Sequence, residues 1–155
     1  AGGSAGVYVV DARSGKTLAV HRIGHAQYCL DCKMRPDLPG REILAGTRWG
    51  NFGIISLFSG RGERLWTIQP DFIGEGSKPV QWLSEGPQHL WHNTSTESMG
   101  LYDGFGKMVQ PLQEMRNATA GKFQIPTQVL TSAPSGPDWL GLQLGEKLHL
   151  YGAQQ

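Results

Sequence analysis

Cys29 and Cys32 stand in a C-L-D-C spacing, which fits either a redox pair or half of a zinc site. Zinc needs a second pair of ligands. His21, His25, His89 and His92 supply neither a second C-x-x-C nor a tight H-x-x-x-H. A thioredoxin-like pair should open a helix after a strand, whereas Pro36 follows almost at once. Residues three apart on a strand point to opposite faces, so the two thiols read as reduced, small apolar side chains, and they leave the compartment open. Asp37 and Glu42 alone make no D-x-D-x-D-G loop, and calcium wants six or more oxygens. No cofactor or metal ligand set is therefore expected.

The elements that must position any site are read from composition and pattern. Glycine supplies 22 of 155 residues and charged residues only 17%, with a formal net charge of +1. That balance creates no field to concentrate a nucleic-acid backbone, and no apolar run is long enough for a membrane span. Residues 1–6 have neither the basic start nor the apolar stretch of a signal peptide, and read as a flexible lead-in or as the cut end of something longer. Beyond them, 7–155 form one domain or part of a larger one.

Where a run is long enough to judge, apolar residues alternate or form β-branched and aromatic stretches, which predicts strands and no helix. Strands are expected over 7–11, 16–20, 26–33, 42–46, 53–58 and 64–68, with weaker ones at 79–83, 89–92 and 99–102. Further candidates lie at 124–125 and 128–130, and 140–144 pairs with 147–151 across Gly145-Glu146. Turn clusters such as Arg13-Ser14-Gly15 and Ser59-Gly60-Arg61-Gly62 allow neighbouring strands to reverse and pair antiparallel. Residues 6–18 and 53–65 share one pattern of glycine, strand, turn and strand, offset by about 47 residues. That is the spacing of four-stranded propeller blades. At such a spacing the chain holds three to four blades, and closure takes about four. The expected fold is all-β, with antiparallel four-stranded meanders arranged as β-propeller blades of an incomplete propeller. Such an open stack leaves an uncovered apolar face, so it should self-associate or be completed by further chain segments.

Three segments carry a family resemblance: His25-Ala26-Gln27, then Met34-Arg35-Pro36-Asp37-Leu38-Pro39-Gly40-Arg41-Glu42-Ile43, then Thr47-Arg48-Trp49-Gly50-Asn51-Phe52-Gly53-Ile54-Ile55. Together they resemble the β-propeller polysaccharide lyases, the rhamnogalacturonan and ulvan lyase-like group. The match continues more weakly through Gln81-Trp82 and residues 100–106. Members of that group are seven-bladed, more than this length can form. Near the end, Gly136-Pro137-Asp138-Trp139-Leu140-Gly141 keeps the outline of the family's acidic element but lacks its second acidic pair, so calcium bound there is not supported.

The resemblance implies β-elimination on a rhamnose- and uronate-containing acidic polysaccharide, and a secreted or periplasmic location. An arginine must neutralise the uronate carboxylate, and a histidine or tyrosine must move protons. On this reading His25 is the acid or base and Arg48 holds the carboxylate, while Trp49, Asn51, Trp82 and His92 contact sugar. Each has a plainer reading. His25 is then a loop histidine, Arg48 stacks on Trp49, Trp49 and Trp82 are packing residues, Asn51 is a turn residue, and His92 with His89 is an exposed loop histidine. Tyr28 could join His25 only if the strand bends between them. The alternative function is a non-catalytic glycan-binding or scaffolding β-propeller module, or a fragment whose missing blades come from other chains.

Overall fold

A computed structural model describes residues 1–49, 51, 53–71, 76–120, 127–130, 136–144 and 146–153, with backbone alone at 49, 127 and 128. The expected strand at 124–125, Gly145 of the last turn, and Gly50 and Phe52 of the family-like segment lie outside the described residues. Strands dominate, as the alternating pattern requires. The first sheet holds β1 (Gly2–Gly3), β2 (Gly6–Val10) and β3 (Thr17–His21). The second holds β4 (His25–Cys32), β5 (Glu42–Trp49), β6 (Ile55–Ser59) and β7 (Arg64–Ile68). The third holds β8 (Lys78–Val80), β9 (His89–His92), β10 (Gly100–Tyr102) and β11 (Met108–Gln110), and the fourth β12 (Thr127–Leu130), β13 (Trp139–Leu144) and β14 (Lys147–Tyr151). All four are antiparallel meanders in chain order.

Two expectations are corrected. The lead-in does not stand apart from the sheets: Gly2 pairs with Val7 and Gly3 with Gly6, and the Tyr8 N–H donates to the Ala1 carbonyl at 2.9 Å. A helix also forms where none is expected, α1 (Gln113–Ala118). Six residues are too few to display a helical period, yet Glu, Met, Arg and Ala are good helix formers and Met115 is fully buried against the third and fourth sheets.

The sheets stack in chain order, each pair enclosing its own core. Val7, Val9 and Ile23 meet Ala26, Ala45 and Phe58 between the first and second sheets. Leu44, Ile55 and Leu57 meet Leu90 and Tyr102 between the second and third. Val80, Trp91 and Leu101 meet Leu140 and Leu142 between the third and fourth. The middle sheets are thus covered on both faces, which is why their strands carry apolar residues in succession rather than in strict alternation.

A repeated unit underlies the stack. Three hairpins close alike: the N–H of Asp11, Ser59 or Asp103 donates to the carbonyl of Lys16, Glu63 or Lys107, and Gly15, Gly62 or Gly106 donates back to the first residue's carbonyl. Those glycines take φ of 69°, 87° and 79°, a left-handed conformation that glycine adopts at little cost. Each hairpin then bulges at one place, leaving Leu18, Leu65 and Val109 outside the pairing. The expected echo at 47 residues is real, but the first hairpin's turn is one residue longer, so Val9 matches Leu57 while Leu18 matches Leu65.

Candidate functional site

The family-like segment folds into the second sheet. Its R-P-D-L-P-G-R-E-I portion is the connection from β4 to β5, and its chemistry is structural. Glu42 is 1% exposed, and its carboxylate accepts the N–H groups of Met34 at 2.7 Å and Arg35 at 3.2 Å, with Lys33 Nζ at 3.3 Å. The Lys33 ammonium also donates to the Arg35 and Leu38 carbonyls. Arg35 grips the Asp37 carboxylate through two nitrogens, at 2.8 and 2.6 Å, and its guanidinium lies over the Phe105 ring of the third sheet. Hydrogen bonding to Arg35 holds the Asp37 carboxyl below its ordinary value. The Asp37 and Glu42 oxygens are therefore committed within the turn.

At the other end of the same strands lie His25, Arg48, Trp49 and Asn51. His25 pairs with Trp49 and Ala26 with Thr47, so Arg48 is the extra residue of a bulge; Tyr28 pairs with Gly46, leaving Gln27 as a second bulge on the facing strand. Bulges re-aim side chains and recur beside functional sites. They also supply the bend that parity between His25 and Tyr28 demands. His25 and Arg48 are both half-buried. The Asn51 side-chain amide donates to the Ile23 carbonyl at 3.2 Å, and the Asn51 backbone carbonyl accepts from the Thr47 hydroxyl, which pins the β5–β6 turn beside the entry to β4. The backbone thus gathers four of the six residues expected at the site onto one sheet end.

The other two lie elsewhere. Trp82 follows β8 at the end matching Met34 rather than His25, is 4% exposed, and donates from its indole N–H to Gln110 at 3.2 Å. It is a core residue that also lines a cleft of about 360 Å³ with Leu83, Gln110, Gln113, Glu114 and Tyr151. His92 is not an exposed loop residue but a fully buried one on β9. Its Nδ1 lies 2.7 Å from the Ser77 hydroxyl, and its Nε2 lies 3.0 Å from Asp71 and 3.1 Å from the Ser98 hydroxyl. Ser98 also bonds Asp71, and the Tyr102 ring meets the imidazole edge-on. With Ser77 at 1% and Ser98 at 6% exposure, this Ser-His-Asp grouping is a sealed polar network without the open nucleophile that covalent catalysis requires. Sequence reading missed it because Asp71, Ser77 and Ser98 lie on separate segments with no motif between them. His89, by contrast, is half-buried, and desolvation holds its imidazole below the usual value while Asp103 opposes the shift.

The cysteines behave as apolar fillers. Cys29 packs toward the first sheet and Cys32 toward the third, on opposite faces as the spacing of three predicts. Burial pushes both thiols up, Cys32 to about 12 with Glu42 and Asp31 adding to the shift. Both are free. Among the described residues no group of three or more His, Cys, Asp or Glu converges as metal ligands, and no helix is long and apolar enough to cross a membrane.

The fold defines an all-β class of stacked antiparallel meanders. No family model, curated protein or solved structure matches the chain.

Proposed function

We propose that the four sheets are consecutive blades of a β-propeller, and that the sheet end carrying His25 and Arg48 cleaves a rhamnose- and uronate-containing polysaccharide by β-elimination. The observation that carries this reading is the bulge placing Arg48 between Thr47 and Trp49, with Trp49 directly across from His25. A guanidinium there would neutralise the uronate carboxylate and make the adjacent C5 proton removable. His25 takes that proton or supplies one: the C5–H electron pair becomes the C4–C5 double bond, the C4–O bond breaks, and the departing oxygen gains a proton. Water does not enter. On this reading Trp49 and Asn51 contact the sugar. The ultraviolet absorbance of the conjugated product on incubation with acidic polysaccharide tests this. The chain is expected to generate it, with His25→Ala and Arg48→Ala each reducing the rate at least a hundredfold. Equal rates in the variants remove those residues from the mechanism.

The cleft bordered by Trp82, Leu83 and Tyr151 favours a second reading, glycan binding without turnover, because aromatic and amide side chains converge there away from His25. Oligosaccharide binding with no loss of polymer length would select it.

A further inference from the structure

One buried hydroxyl ties together the two sides of the candidate site. The ladder between β5 and β6 ends at Gly46 opposite Ile55. At the next position the Thr47 N–H still donates to the Ile54 carbonyl at 2.9 Å, but the Ile54 N–H donates to the Thr47 hydroxyl, at 3.1 Å. The hydroxyl's own proton goes to the Asn51 backbone carbonyl. A threonine side chain has one proton to give and lone pairs to receive with, so it fills both roles at once. The Asn51 side chain then reaches the carbonyl of Ile23, just ahead of His25. From Arg48 to His25 the connection therefore runs through Thr47, Asn51 and Ile23, in addition to the pairing of Trp49 with His25.

Thr47 is fully buried, so it touches no substrate. A valine there would keep the branched shape and the strand preference, yet it would take from the Asn51 carbonyl and the Ile54 N–H the hydroxyl they share. We propose that Thr47 is a positioning residue: its hydroxyl holds Arg48 at the bulge and, through Asn51, at a fixed separation from His25, so that a uronate carboxylate and its C5–H meet both groups together. The inference rests on the elimination reading and adds that a group which never meets the sugar governs turnover. Negative charge spreads onto the carboxylate as the C5 proton leaves, so a misplaced guanidinium costs turnover more than it costs binding of the substrate. Displacement by about 1 Å is enough to slow a reaction on the order of a hundredfold.

Thr47→Val, Thr47→Ser and Ser56→Ala test it, each compared with the unaltered chain in the absorbance assay, in thermal unfolding and in amide hydrogen exchange. Ser56 is the control: its buried hydroxyl bonds Thr67 at 2.8 Å on the same sheet, between β6 and β7. Thr47→Val is expected to lower kcat about tenfold or more with KM within about twofold, and to speed exchange of the Ile54 amide. Thr47→Ala, which removes the hydroxyl without putting a methyl in its place, should do the same. Thr47→Ser should restore both readings, because the hydroxyl returns. Ser56→Ala should lower the melting temperature and leave kcat as it was. Unchanged exchange at Ile54 in Thr47→Val and Thr47→Ala overturns the tie itself. An unchanged kcat in those variants, or an equal loss in Ser56→Ala, overturns its part in turnover and leaves the elimination reading in place. A folded unaltered chain that forms no product overturns that reading and the proposal with it, before any variant is compared.

Discussion

Gln81 and Asp138 exchange two hydrogen bonds across the boundary between the third and fourth sheets: the Asp138 N–H donates to the Gln81 carbonyl, and the Gln81 N–H to the Asp138 carboxylate, both at 2.7 Å. Lys33 and Gln88 make the same exchange between the second and third sheets, at 2.7 and 2.8 Å. In each case the residue just before a sheet's second strand clasps the residue just beyond the first strand of the sheet before it. The acid of the Gly136-Pro137-Asp138-Trp139 segment is thus an inter-sheet clasp.

Asp138 is 7% exposed, so Asp138→Ala leaves a part-buried N–H unpaired at a cost of about 2 kcal/mol. Urea unfolding should show a lower midpoint at unchanged slope, with Asp138→Asn losing less because an acceptor remains.

Gly15 and Gly62 close equivalent turns at positive φ, but only one is crowded. A Cβ on Gly62 would lie 2.6 Å from the Ala19 Cβ, whereas one on Gly15 meets nothing within 4 Å. Gly15→Ala should cost about 1 kcal/mol from backbone strain. Gly62→Ala adds overpacking between sheets, for a total of about 3 kcal/mol. Equal losses in thermal unfolding would show that the inter-sheet contact is unimportant.

His92→Ala removes the shared partner of Ser77, Asp71 and Ser98, and should destabilise the chain by about 3 kcal/mol. In the folded fraction, glycan affinity measured by calorimetry should be unchanged. A weakened affinity without a stability loss would return His92 to the substrate site.

Alkaline stability has a defined sign. Cys32 and Tyr102 are both held at about 12 in the folded chain, Tyr102 by burial and then by Asp71, above their ordinary values of 9.0 and 10.0. Unfolding releases these protons earlier than the folded state does. The stabilisation is therefore full below about pH 9 and falls as pH rises through 12. Denaturation between pH 8 and 12 should show this decline, shallower in Cys32→Ala, and Cys32 should resist thiol reagents at pH 8 in the native chain.

Much of the local architecture is legible in the residues. Alternation over 7–11 and 16–20, with Gly15 between, specifies a hairpin because side-chain period and positive φ are local properties. The strand over 26–33 and its spacing of three put Cys29 and Cys32 on opposite faces for the same reason. The helix at Gln113–Ala118 was hidden because Met115 alone anchors it, and one buried residue makes no period. His92 reads as a loop residue because its partners come from distant segments.

The amino-acid order alone determined the antiparallel hairpins, the turn glycines and the near-47-residue repeat, all of which depend on neighbours a few residues away or on self-similarity. Only the tertiary structure decided that Arg48 bulges beside His25, and that His92 is sealed while His89 is half-buried. Two histidines of one short strand carry much the same local information. What separates them is which segments lie against them, and that is set by packing between segments far apart in the chain.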